Sequence, residues 1–78
     1  MKANCYHYRF QSEDSYKTLV VSGDFPMTAE KICELIARRE GVSPRLRLIL
    51  RNASTRSICL GVIPPNSSLV VIRVPNAW

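Results

Sequence analysis

Cys5 and His7 stand two residues apart in "CYHYRF", so on an extended chain a thiol and an imidazole share one face. Such a pair could serve as nucleophile and base, or as two metal ligands. Neither chemistry closes, because the nucleophile's base needs an orienting group and a zinc site needs further ligands, and the sequence assigns neither. Packing is the simpler role for both side chains. The three glycines make no phosphate-binding loop, and the acids gather elsewhere, at Glu13 and Asp14 and along a helical face at Glu30 and Glu34. No catalytic, cofactor-binding or metal-binding residue is assigned, and no enzyme activity is expected.

The second candidate is recognition by charge. Residues 1–40 hold every acid of the chain together with six bases, whereas residues 41–78 hold five arginines and no acid. The net charge of +5 therefore sits in the second half. A one-signed region of this kind attracts acidic partners, either nucleic-acid phosphates or an acidic protein surface. Its densest part is "RLRLILR", residues 45–51. Leu46, Leu48 and Leu50 fall on one face of a strand and Arg45, Arg47, Ile49 and Arg51 on the other. An isoleucine ringed by arginine stems has the make-up of an interface centre and its rim.

The elements that must position these residues can be read in order. "CYHYRF" (5–10) alternates as a half-buried strand, "QSEDS" is a polar turn, and "YKTLVVS" (16–22) is a β-branched partner ending at Gly23-Asp24. The spacing predicts a helix over 29–39, capped by Thr28 and stopped by Gly41, with Ala29, Ile32, Cys33 and Ile36 as its apolar stripe. Leu35 lies off the centre of that stripe. The arginine strand follows Pro44. After "NASTRS", a short apolar segment "ICLGVI" (58–63) and the rigid "PPNSS" lead to a last strand "LVVIRV" (69–74), ended by Pro75. Strand, strand, helix, strand, short strand, strand within 78 residues implies an α+β domain: a mixed sheet of four to five strands with one helix across one face, the ubiquitin-like β-grasp. The expected core is Tyr8, Phe10, Leu19, Val21, Ile32, Ile36, Leu48, Leu50, Leu69 and Val71.

The longest apolar run is "LVVI" (69–72), so no membrane span is expected, and "MKANCYHYRF" has no hydrophobic leader segment. Cys5, Cys33 and Cys59 are odd in number and widely spaced, which suits buried thiols in a reducing compartment better than a disulfide framework. Asn52 and Asn66 head glycosylation sequons, which have meaning only in a secreted chain. Here they are read as turn residues.

Two stretches carry a family likeness. "LIARREGVSPRLRLIL" resembles the helix end, the following turn and the third strand of ubiquitin. "HYRF", "YKTL", Gly23, "RRE" and above all "IPPNSSLVVIRVP" (63–75) resemble the DWNN domain, the ubiquitin-like module of retinoblastoma-binding RING-type ligases and related polyadenylation factors. The likeness covers nearly all of residues 1–78, read as a single domain. It implies a nuclear, monomeric, protein-docking module whose partner is a subunit of the pre-mRNA 3′-end processing complex, the nuclease subunit in particular. Two departures stand beside it. No zinc-knuckle or RING ligand cluster is present, and the stretch where some members carry Gly-Gly reads "VPNAW". A ubiquitin-type modifier needs a slim diglycine tail, so conjugation through Trp78 is not expected.

These readings converge on one surface. In a β-grasp sheet the last strand lies beside the third, so Val70 and Ile72 should emerge beside Ile49. Ile49, Val70 and Ile72, with Arg47 and Arg51, are the expected protein-binding residues, and Ile49 is expected to be exposed. A covalent modifier and an RNA-contacting basic domain remain the alternatives. The RNA reading is the weaker because Tyr6, Tyr8 and Phe10 are expected to point inward, away from any base-stacking platform.

Overall fold

Tyr6, Tyr8 and Phe10 alternate with Cys5, His7 and Arg9 along β1 (Ala3–Phe10), and the first three are at most 1% exposed. That alternation sets the two faces of a sheet in a computed structural model that describes residues 3–23 and 27–76. β2 (Lys17–Ser22) returns antiparallel to β1, with Cys5 opposite Val20 and His7 opposite Thr18. Asp24, assigned to the hairpin's end, lies outside the described residues, as do Ala77 and Trp78.

A short β3 (Met27–Thr28) runs straight into α1 (Ala29–Glu40). Thr28 Oγ1 accepts from the Lys31 N–H at 3.2 Å, satisfying one of the helix's orphan donors. Gly41 closes the helix at φ 66°, a left-handed conformation that costs glycine nothing, and its N–H donates to the Ala37 carbonyl. Ile32 and Ile36 are fully buried, while Ala29, Cys33 and Leu35 are half-buried at the margin of the stripe.

β4 (Leu46–Asn52), β5 (Val62–Ile63) and β6 (Ser68–Pro75) complete the chain. The main sheet has the order β2-β1-β6-β4, with β1 and β6 parallel and the outer pairs antiparallel. β3 and β5 form a second, two-stranded sheet. One helix packed on a mixed four-stranded sheet is the α+β, β-grasp-like architecture expected. The short strand is smaller than 58–63 suggested: only Val62–Ile63 pairs as a strand, and Ile58 makes a lone bridge to Arg51. β3 was not anticipated. Two residues carry too little alternation to register as a strand, and its pairing depends on Ile63 lying opposite Met27.

The core comprises Tyr6, Tyr8, Phe10, Leu19, Ile32, Ile36, Leu50, Ile63, Leu69 and Val71. Val21 and Leu48, expected inside it, are only half-buried, and Tyr6 and Ile63 take their places. Leu48 lies on an edge strand, where no further strand covers it. Tyr6 and Ile63 are joined by a buried hydrogen bond, the phenol donating to the Ile63 carbonyl at 2.9 Å. The turn readings of the two asparagines match their geometry. Asn52 Oδ1 accepts from the N–H groups of Ser54 and Thr55, and Asn66 adopts φ 67°.

At the far end of α1, Glu40 ties the helix to the first hairpin. Tyr8 Oη and Lys17 Nζ each donate to its carboxylate at 2.8 Å. Lys17, then Tyr8, as hydrogen-bond donors hold the Glu40 carboxyl below its usual range. The same contact with Glu40 raises Lys17. Burial, reinforced by the Glu40 acceptor, pushes Tyr8 up to about 12. The lowered Glu40 value means its contribution is complete above the ordinary carboxyl pKa of about 4.3 and is lost as pH falls through the folded value. The raised Lys17 and Tyr8 values mean theirs are complete below about pH 10 and are lost as pH rises through the folded values. Melting temperatures should therefore fall at both extremes. Glu40→Gln should shrink the acid limb and Tyr8→Phe the alkaline one, and profiles unchanged in both variants would dismiss the linkage.

Candidate functional site

The outer face of the sheet is built by the registers of β1, β6 and β4. Ile49 and Ile72 are direct cross-strand partners. Val70 stands opposite Arg51 on β4 and opposite Arg9 on β1, and Val74 stands opposite Arg47. The structure thus brings together all five expected residues: Ile49, Val70 and Ile72 form an apolar centre, with Arg47 and Arg51 on either side of Ile49 along β4. It adds Arg9 and Val74. Both were legible as outward positions of their strands, but which strand neighbours which is a property of the sheet order.

One expectation needs correcting. Ile49 is not fully exposed; it is half-buried, as are Val70 and Ile72. Side chains directly opposite in an antiparallel pair touch, and arginine stems lie along apolar neighbours, so each removes part of the other's contact with water. The more exposed apolar side chains lie elsewhere: Val20 on the β2 edge, and Ile58, Leu60 and Val62 on the segment after β4, with Leu60 at 84%. Ile58 and Leu60 border a groove of about 510 Å³ between α1 and the free edge of β4, which Ile49 also lines. The apolar surface around Ile49 therefore continues around the β4 edge, towards Glu30 and Glu34 of α1. Sequence reading missed this extension, although "ICLGVI" is conspicuously apolar for a loop.

Electrostatically the face is basic. Among the described residues the ion pairs join Lys17 to Glu13 and Glu40, and Lys31 and Arg38 to Glu34; none includes Arg9, Arg47 or Arg51, although Glu13 adjoins Arg9 and Glu34 lines the β4-edge groove with Arg47. The guanidiniums of the outer face are thus not spent on ion pairs and give that face a positive field. Arg73, on the opposite face, lies 3.8 Å above the Phe10 ring and is spent on that cation–π contact.

The thiol and imidazole of β1 do share the outer face, across from Val20 and Thr18, and His7 Nδ1 lies 3.4 Å from Thr18 Oγ1. Among the described residues no group of three or more His, Cys, Asp or Glu side chains is arranged to hold a metal ion. Cys33 donates its thiol to the Leu48 carbonyl at 3.4 Å, and burial, with Cys59 close by, pushes it up to about 11. Burial also raises Cys59. Thiols held protonated in this way are poor nucleophiles at neutral pH.

No family model and no curated protein matches the chain. The case for function therefore rests on the residues themselves. Among the described residues no helix is long and apolar enough to cross a membrane.

Proposed function

We propose that this chain is a non-catalytic, ubiquitin-like docking module that captures an acidic protein partner on the outer face of its sheet. The observation that carries this reading is the direct pairing of Ile49 with Ile72 among arginines that form no ion pair among the described residues. The apolar centre supplies affinity by excluding water, and the arginine rim supplies orientation and association rate. The likeness of "IPPNSSLVVIRVP" and its flanking motifs to the DWNN domain supports a nuclear setting. There the module would serve pre-mRNA 3′-end cleavage and polyadenylation or a RING-type ubiquitin ligase, with the nuclease subunit as the partner to test first.

RNA contact is the second reading, favoured by the same arginines. Weighing against it, Tyr6, Tyr8 and Phe10 are buried and cannot stack on bases. A covalent modifier has less support, since no diglycine occurs in the sequence.

A tagged pull-down from nuclear extract tests capture, and Arg47→Ala tests the rim. Exposed charges act over roughly 10 Å at 0.1 M salt. Capture by the variant should accordingly be several-fold weaker at low salt, and the difference should close as salt rises. Equal capture at every salt concentration would remove Arg47 from the site, and an adduct surviving denaturing electrophoresis would favour the modifier.

A further inference from the structure

Beside the apolar centre, where Val70 lies between β1 and β4, the surface dips into a concavity of about 320 Å³ lined by Arg9, Arg51, Arg56, Gln11, Asn52 and Val70. Its lining includes three arginines. Arg9 is held in place: its Nη1 donates to the Glu13 carbonyl at 2.9 Å, and its guanidinium lies 5.7 Å from the Tyr16 ring centroid. Arg51 places its Nε out of contact with water and without a hydrogen-bond partner. A buried donor left unpaired is costly, so an acceptor that draws the Arg51 guanidinium outward relieves that cost. Arg56 is brought round by the Asn52 turn, where its N–H donates to the Asn52 carbonyl at 2.8 Å and its backbone takes φ 64°. None of the three forms an ion pair among the described residues.

We propose that Arg9, Arg51 and Arg56 form a pocket for a phosphomonoester, and that the docked protein segment presents a phosphorylated side chain to it. The proposal deepens the docking reading and rests on it for the origin of the phosphate. Three like charges around one hollow repel one another, and a single carboxylate neutralises only one of them. A phosphomonoester carries about −1.5 to −2 at neutral pH, with three acceptor oxygens for guanidinium donors. Val70 joins this pocket to Ile72 and Ile49, so the phosphate comes on a chain whose neighbouring side chains are apolar. That is the make-up of a protein segment; an RNA strand would call for a series of open rings, and among the described aromatic residues only Tyr16, already beside Arg9, is exposed.

The test uses the full chain and NMR of arginine Nε–H groups, titrated with inorganic phosphate and, separately, acetate at constant ionic strength. Arg51 Nε–H should shift saturably with phosphate and at least about tenfold more weakly with acetate. Arg56→Gln, an exposed substitution, should abolish the shift, whereas Ile49→Ala, which trims the apolar centre without adding a charge beside Arg51, should leave it, so the pocket and the apolar centre fail separately. A short peptide with phosphoserine between two valines should bind at least about tenfold tighter than its unphosphorylated form. Equal responses to phosphate and acetate, a shift that persists in Arg56→Gln, or no gain from phosphorylation would each overturn the pocket. Tighter binding of a uridine octamer than of the phosphopeptide would overturn the protein source and assign the pocket to nucleic acid.

Discussion

Ile36→Ala and Leu50→Ala should each destabilise the protein by about 2–5 kcal/mol, the range for truncating a large aliphatic side chain in a packed core. Both residues are at most 1% exposed, and they belong to the one cluster that joins α1 to the sheet. The cost combines the lost transfer free energy of the removed methyl and methylene groups with the cavity that the rigid surroundings cannot close. A domain of this size commands only about 3–5 kcal/mol from its core, so either change removes most of its stability. In a chain of 60–100 residues each kcal/mol shifts the midpoint by about 4–8 °C, so thermal melts should move down by about 10 °C or more. Circular dichroism melts of the two variants check this. If both matched the parent, the assignment of faces in α1 and β4 would be wrong.

Ile49→Glu should abolish partner capture while leaving the domain folded. The half-burial of Ile49 makes this substitution costlier than a change at an open surface position, about 1 kcal/mol where the latter costs within about 0.5 kcal/mol. Part of that cost is recovered, because Arg47 and Arg51 flank the position on the same face and exposed ion pairs contribute about 0–1 kcal/mol. Binding has no such compensation. A carboxylate at the centre opposes desolvation of the patch beside Ile72 and draws the arginine rim away from an acidic partner. Val20→Glu is the matched control: it also points outward, but from the β2 edge, and Val20 is already 60% exposed. The expected result is loss of capture with Ile49→Glu, full capture with Val20→Glu, and cooperative melting in both. Normal capture by Ile49→Glu would make the residue idle surface, and unfolding would make it core.

Much of the architecture follows from local pattern. The alternation of Tyr6, Tyr8 and Phe10, and of Leu46, Leu48 and Leu50, assigns an inner and an outer face to β1 and β4 without knowledge of any neighbour, because a strand's side chains repeat every two residues. Thr28 and Gly41 bracket the helix for equally local reasons, one accepting from an orphan N–H and the other adopting a left-handed backbone. The outer position of Ile49 and its flanking arginines was therefore legible in "RLRLILR" alone.

Tertiary structure decided what those faces meet. Parallel pairing of β6 with β1 places Val70 beside Arg9, and antiparallel pairing with β4 places it beside Arg51 and sets Ile72 against Ile49. The Asn52 turn then brings Arg56 to the same hollow, and the cover supplied by these neighbours turns Ile49 from an exposed side chain into a half-buried one. Leu48 and Val21 left the core list, and Tyr6 and Ile63 entered it, for the same reason. Burial and charge clustering depend on which residues far apart in the chain are pressed together, and register is set by closing the sheet over one shared core. Periodicity along a single strand carries the direction of a side chain; only the packed sheet supplies its neighbours.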